Sequence, residues 1–179
     1  MQKRQRFIRP SSLLCVLVLF TATARAQWAP MNPVTNVQQQ ADGVLFTMQK
    51  GTLRLQVCTD FIIRVRYSAT STFSDRPDYV ITKTSWPETK WTMQSADDSV
   101  TLTTARLAIT VTRKDGAITY RDLEGKQLLQ EATRKLTPVK VNGEDTYRAE
   151  SFINIYGSRE ALYGLGQHQA GVWNYRGES

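Results

Sequence analysis

Residues 44–68, VLFTMQKGTLRLQVCTDFIIRVRYS, decide the fold because apolar side chains recur at every second position through three short runs. Val44, Phe46 and Met48 form the first apolar row. Two further rows follow, made of Leu53, Leu55 and Val57 and then of Phe61, Ile63, Val65 and Tyr67. Short polar turns, Gln49-Lys50-Gly51 and Thr59-Asp60, separate the runs. A period of two with tight turns predicts an antiparallel β-meander with one buried and one half-wet face.

The same period continues towards the C-terminus. Leu107, Ile109 and Val111 alternate with small polar residues, and Asp115-Gly116 then gives a hairpin signal. Further strands are predicted at 100–103, 117–121, 126–130, 147–149 and 151–155, and a long connection with one edge strand near 79–81 is predicted for 69–98. No segment has a capped helical period. The sequence therefore predicts an all-β, antiparallel β-sandwich, which eight or so short strands favour over a small barrel.

The N-terminus has the three parts of a secretory signal peptide. Four basic residues precede Leu13, the run Leu13–Phe20 is apolar, and Ala24-Arg25-Ala26 is a small-x-small cleavage pattern. The apolar run is shorter than the roughly 20 residues of a membrane span. We therefore expect residues 1–26 to direct export to the periplasm or the medium, with cleavage after Ala26 and no stable membrane insertion afterwards.

The charge balance changes once this segment is removed. The full 179 residues contain 23 basic and 16 acidic residues, for a net charge of +7. Five of the basic residues lie within residues 1–26, which leaves 18 against 16 and a net charge of +2. A basic domain that binds nucleic acid is therefore not indicated. Only Cys58 remains after cleavage, and its place in a strand predicts a packed side chain and not a reactive thiol.

Residues 27–43 lack any period and contain Pro30, Pro33 and three consecutive glutamines, which predicts a flexible leader. The remaining residues, 44–179, are expected to form the sandwich.

No catalytic arrangement is recognisable in the chain. His168 is the single histidine, and neither Ser151 nor Ser158 lies in a Gly-x-Ser-x-Gly elbow. Glycine loops of the phosphate-binding type are missing, and the acidic residues fall mostly in turns. We expect no metal site and no cofactor.

The segment 163–177 is dense in glycine, aromatic and side-chain donor residues. Aromatic faces beside amide and guanidinium donors suit the C–H faces and hydroxyls of sugars. A tight turn in which glycines allow close approach of two chains explains the same composition equally well. The candidate ligand contacts are His168, Trp173, Asn174, Tyr175 and Arg176. The candidate turn residues are Gly164, Gly166 and Gly177.

Residues 161–168, ALYGLGQH, followed by Asn174-Tyr175-Arg176-Gly177, resemble the "YGLGE…NxRG" segment of glycoside hydrolase family 31. The strands at 51–57, 63–68, 107–111 and 116–122 are similar to the N-terminal domain of that family, so the resemblance covers about residues 44–177. Gln167 departs from the glutamate that many members carry, which removes support for an acid at this position.

This resemblance implies a galactose-mutarotase-like sandwich that precedes a catalytic (β/α)₈ barrel with two aspartates, which hydrolyse α-glucosides or α-xylosides with retention. None of the barrel residues has a counterpart here, so this chain is expected to be a truncated and inactive N-terminal part of such an enzyme. It would pack against the barrel and border the substrate pocket, which receives the carbohydrate. Two alternatives remain open: a stand-alone secreted carbohydrate-binding module and a structural secreted β-sandwich domain. Missing strands would leave an unpaired sheet edge and an exposed apolar face.

Overall fold

Ten β-strands make up the regular structure in a computed structural model, which describes residues 32–74, 81–83, 85–154, 161, 163, 171 and 173–176. The strands are β1 (Val34–Gln40), β2 (Gly43–Met48), β3 (Thr52–Val57), β4 (Ile63–Ser68), β5 (Thr92–Ser95), β6 (Ser99–Thr103), β7 (Leu107–Thr112), β8 (Ile118–Asp122), β9 (Gln127–Val141) and β10 (Glu144–Asn154). No helix occurs among the described residues. This confirms the predicted all-β class.

The strands form two antiparallel sheets. The first has the order β1-β2-β3-β4, and the second has the order β10-β9-β8-β7-β6-β5. Every strand pairs with its sequence neighbour in the sheet, so each sheet is a meander built from local connections. Within the described part of the chain, no helix is long and apolar enough to cross a membrane.

The hydrophobic core lies between the two sheets. It is formed by the alternate residues of β2, β3, β6 and β7 together with Ile118 at the start of β8. The core side chains are Val44, Phe46, Met48, Leu53, Leu55, Val57, Val100, Leu102, Ile109, Val111 and Ile118. We call this part of the molecule the closed half of the sandwich. Burial of each large side chain contributes about 1.5–3 kcal/mol, so the closed half carries most of the apolar stabilisation. The rows predicted from residues 44–57 are therefore correct.

The prediction of a flexible leader is wrong for residues 34–40. These residues form β1, which pairs with β2 through partners such as Val37 with Phe46 and Gln40 with Gly43. Val34 and Val37 also pack against the core. Strand β1 is polar on most of its length because most of its residues are exposed, and its pairing with β2 holds it in the sheet. The signal peptide predicted for residues 1–26 lies outside the described residues.

Two further differences concern the second sheet. Its outer strand on one side is β5, Thr92–Ser95, within a region predicted as a connection. Of the edge strand predicted near 79–81, only Ile81 is described, and it is not in a strand. At the other side, β9 and β10 form one long hairpin. The strand predicted at 126–130 is the start of the longer β9, and the two strands predicted at 147–149 and 151–155 fall on the single strand β10.

The β9–β10 hairpin turns at Asn142 and Gly143, between the paired residues Val141 and Glu144. Both turn residues have positive φ, 51° and 85°. A two-residue loop with positive φ at both positions is a type I′ turn, for which Asn-Gly is the preferred sequence. The turn thus fixes the register of the longest hairpin in the described chain.

Candidate functional site

The predicted ligand contacts near the C-terminus are described only in part. His168, Gly164, Gly166 and Gly177 lie outside the described residues. Trp173 is 83% exposed, and the backbone N–H of Arg176 donates to Asn174 Oδ1 at 3.1 Å. This hydrogen bond closes a local turn around half-buried Tyr175. The structure therefore brings Asn174 and Arg176 together and leaves the indole of Trp173 open to solvent.

A groove of about 430 Å³ lies where the sandwich opens, between β4 of the first sheet and β8, β9 and β10 of the second. Its wall on the first sheet is formed by Val65 and Tyr67. The facing residues are Ile118, Tyr120, Leu129, Glu131, Arg134, Lys135, Leu136, Ala149, Glu150, Ser151 and Ile153. Most of this lining is apolar, with a few charged groups set into it.

Glu131 and Arg134 form an ion pair inside the groove. Arg134 Nε donates to Glu131 Oε1 at 2.8 Å, and Arg134 Nη2 donates to Glu131 Oε2, so the pair is bidentate. The side chains of Arg134 and Glu131 are 12% and 13% exposed. Arg134 Nη2 also donates to the Gly116 carbonyl at 3.0 Å, and the Ser151 hydroxyl donates to Glu131 Oε1 at 3.3 Å. Both carboxylate oxygens of Glu131 are thus engaged, which leaves this group poorly suited to proton transfer.

Tyr67 connects this pair to the first sheet. The Arg134 guanidinium lies 5.5 Å from the centre of the Tyr67 ring, a cation–π distance. The Tyr67 hydroxyl donates to the Lys50 carbonyl at 2.9 Å and accepts from Asn32 Nδ2 at 2.9 Å. Asn32 Nδ2 also reaches the Lys50 carbonyl, and Lys50 N donates to Asn32 Oδ1. On the first sheet, Tyr67 is therefore held by Asn32 and the Lys50 carbonyl. On the second sheet, Arg134 is held by Glu131 and the Gly116 carbonyl.

Tyr120 stands beside the pair on β8. Burial, with a further contribution from the negative charge of Glu131, raises the pKa of Tyr120 to about 12. Its hydroxyl therefore stays protonated at neutral pH and is not a base.

The chemistry of the groove suits binding better than catalysis. Glycoside hydrolysis needs two carboxylates that face one bond, whereas Glu131 is neutralised by Arg134. Among the residues described, no three potential metal ligands lie close together. The groove was not predicted from the sequence, because Tyr67 and Arg134 meet only through the packing of two sheets. One sequence signal existed for part of the groove: the alternation of β4 predicted that Val65 and Tyr67 share one face of the sheet.

Comparison with known families and structures agrees with this fold. The family model of the glycosyl hydrolase 31 N-terminal galactose mutarotase-like domain matches residues 52–179. A family 31 α-xylosidase from Xanthomonas citri is similar in structure at 29% identity and a TM-score of 0.69. The match covers 78% of this chain and 16% of the α-xylosidase.

Two more solved structures share the fold at lower identity. A family 31 dextranase from Flavobacterium johnsoniae has 20% identity and a TM-score of 0.61, over 82% of this chain and 18% of the dextranase. A family 31 α-xylosidase from a soil metagenome, solved with xylose, has 21% identity and a TM-score of 0.61, over 80% of this chain and 24% of that protein. The chain thus spans less than a quarter of each of these proteins. The family match extends over most of the sequence, and the chain belongs to glycoside hydrolase family 31 through its N-terminal galactose mutarotase-like domain.

Proposed function

We propose that this chain is the N-terminal part of an exported α-glycoside hydrolase that cleaves α-xylosides or α-glucosides with retention of configuration. The observation that carries the proposal is the family match over residues 52–179, together with the fold shared with an α-xylosidase at 29% identity. In this proposal the catalytic aspartates lie in the part of the enzyme that this chain does not cover, since the chain spans less than a quarter of the similar family 31 proteins.

The role of the domain is to pack against the catalytic barrel and border its substrate pocket with the segment 163–177. The exposure of Trp173, at 83%, supports this role because an open indole face can stack on a sugar ring. The hydrogen bond from the Arg176 backbone N–H to Asn174 Oδ1 supports it as well, because it orders the chain directly after Trp173.

The test of the proposed activity compares two proteins, the 179-residue chain and the complete product of its gene, on aryl α-xylosides and aryl α-glucosides. We expect hydrolysis by the complete product alone. NMR of the first sugar released should show the α-anomer, the signature of retention. Equal hydrolysis by the 179-residue chain, or no hydrolysis of either substrate by the complete product, would contradict the proposal. N-terminal sequencing of the exported protein should begin at Gln27.

The role of the C-terminal segment is tested by W173A in the complete product. We expect KM to rise about two- to tenfold with little change in kcat, since loss of a stacking face costs about 0.5–1.5 kcal/mol in binding. F61A is the matched control, because Phe61 is also an exposed aromatic residue, 59% accessible, in the β3–β4 connection. An unchanged KM in W173A would show that Trp173 does not contact the substrate in the pocket.

The exposed aromatic residues Trp173 and Tyr163, 83% and 65% accessible, also favour a second candidate, a stand-alone carbohydrate-binding module. This candidate predicts that the 179-residue chain binds xylose- or glucose-containing oligosaccharides by itself. Titration calorimetry decides between the two, because the enzyme proposal requires the barrel for a complete sugar site.

A further inference from the structure

The tip of the β9–β10 hairpin carries the sequence Asn142-Gly143, the two loop residues of the type I′ turn. The chain contains five asparagines, and Asn142 is the one that a glycine follows. The other four are Asn32, Asn36, Asn154 and Asn174, which precede Pro33, Val37, Ile155 and Tyr175. The side-chain amide of an asparagine is open to attack by the backbone nitrogen of the next residue, and glycine hinders this attack least because it has no side chain. Asn142 is therefore the asparagine with the least hindered neighbour.

The hairpin tip lies beyond the part of the second sheet that a third strand supports. Strand β8 pairs with β9 only through the first residues of β9, from Gln127 to Gln130. In the described part of the chain, the rest of β9 pairs with β10 alone. Residues 140–149 are all exposed, and a two-stranded ribbon without further support is only marginally stable in water. The tip therefore opens locally more readily than the base of the hairpin does.

The backbone nitrogen of Gly143 is accessible within this turn. No backbone hydrogen bond between described residues uses its N–H, because the flanking pair, Val141 and Glu144, closes the ladder of a two-residue loop. The space that a Cβ at Gly143 would occupy is also open, with nothing within 4 Å beyond its chain neighbours. The attacking nitrogen is thus neither held in the sheet nor shielded by another group.

We propose that Asn142 is a modification site at which spontaneous deamidation converts the turn to isoaspartate and aspartate. The nitrogen of Gly143 loses its proton to a solvent base and bonds to Cγ of Asn142, and the bond from Cγ to Nδ2 breaks with release of ammonia. Water then adds to one of the two carbonyl carbons of the five-membered succinimide ring and opens it. The reacting groups belong to adjacent residues, so the attack has the advantage of an intramolecular reaction. Water is the one co-reactant, and the proposal does not depend on the proposed function.

The isoaspartate product does not fit the turn. Its backbone runs through the former side chain, so the loop gains one carbon atom, whereas a type I′ turn needs two ordinary residues with positive φ, here 51° and 85°. The new carboxylate also lies close in sequence to Lys140, whose Nζ contacts Asp145 Oδ1 at 2.9 Å. The buried core contains no residue of the hairpin. We therefore expect the modification to loosen the pairing near the tip and to leave the closed half of the sandwich intact.

Peptide mapping by mass spectrometry tests the proposal on the 179-residue chain, aged in mildly alkaline buffer with and without urea. We expect Asn142 in the folded chain to deamidate at least about tenfold faster than Asn36, and folding to slow the reaction at Asn142 by less than about tenfold. Asn36 is the internal control, since it is also exposed but lies within β1, opposite Thr47, and precedes the β-branched Val37.

Hydrogen exchange then measures the consequence for the hairpin. In the aged chain, the peptide of residues 138–147 should exchange at least about tenfold faster, while the peptide of residues 44–57 should be unchanged. The variant N142D is the matched control, because it adds the charge without the extra backbone carbon, and we expect a smaller effect.

Two results would overturn the proposal. One is a rate at Asn142 in the folded chain no higher than at Asn36. The other is a slowing of more than about tenfold on folding, which would show that the turn protects its own asparagine. Neither readout involves glycosidase activity, so either failure leaves the proposed function unaffected.

Discussion

Removal of the guanidinium of Arg134 should destabilise the domain far more than removal of a typical surface arginine. In R134A, the carboxylate of Glu131 stays in the groove, where its side chain is 13% exposed, and loses both bonds from its partner. Breaking a buried pair from one side costs about 3–5 kcal/mol. Because the groove is open on one side, we expect the lower end, about 3 kcal/mol. This corresponds to a fall in Tm of about 6–12 °C for a domain of this size.

The matched control is R106A. Arg106 also donates to a carboxylate, Asp60 Oδ2 at 3.1 Å, but its side chain is 69% exposed and that of Asp60 is 34% exposed. Such a pair contributes about 0–1 kcal/mol. Urea denaturation of the 179-residue chain, followed by circular dichroism, measures both variants. Equal losses in R134A and R106A, within about 0.5 kcal/mol, would refute the argument from burial.

A double variant distinguishes an unpaired charge from lost packing. E131L combined with R134M removes both charges and keeps most of the side-chain volume, so it should recover at least about 2 kcal/mol relative to R134A. If the double variant is as unstable as R134A, the contacts of Arg134 with Tyr67 and the Gly116 carbonyl carry the stability, and the charge of Glu131 does not.

Three more measurements test other parts of the structure. Gly51 and Gly143 have nearly equal φ, 83° and 85°, but of the two only Gly51 would place a new methyl group against backbone, namely the Ser68 carbonyl. In urea denaturation, G143A should therefore cost about 1 kcal/mol of stability and G51A at least about 2 kcal/mol more. Equal costs would contradict the geometry of the β2–β3 turn. The pKa of Tyr120 is raised to about 12 in the folded state, so stability should fall as the pH rises from about 10 to about 12, with the loss absent in Y120F when unfolding is followed against pH. Cys58 is fully buried and its thiol pKa is raised by burial, so peptide mapping after iodoacetamide treatment should find it modified only in denatured protein; fast labelling in the native state would contradict its packing.

The alternation of side chains was sufficient to predict the closed half of the sandwich. In β2 and β3 each inward position is apolar and each turn has polar or glycine residues, so local pattern and tertiary burial agree. The ligand contacts predicted in the C-terminal segment stay predictions. Among its described residues, Trp173 is exposed and the Asn174 side chain accepts a hydrogen bond from the backbone of Arg176.

Strand β1 could not be predicted from alternation, because hydrogen bonds to the edge of β2 hold it and only Val34 and Val37 reach the core. The β9–β10 hairpin is a different case. Its Asn142-Gly143 turn was present in the sequence as a type I′ signal, but the charged residues and the register shift near Phe152 hide the alternation of the strands. The groove depends on contacts between residues far apart in sequence, such as Tyr67 and Arg134, for which no local pattern exists.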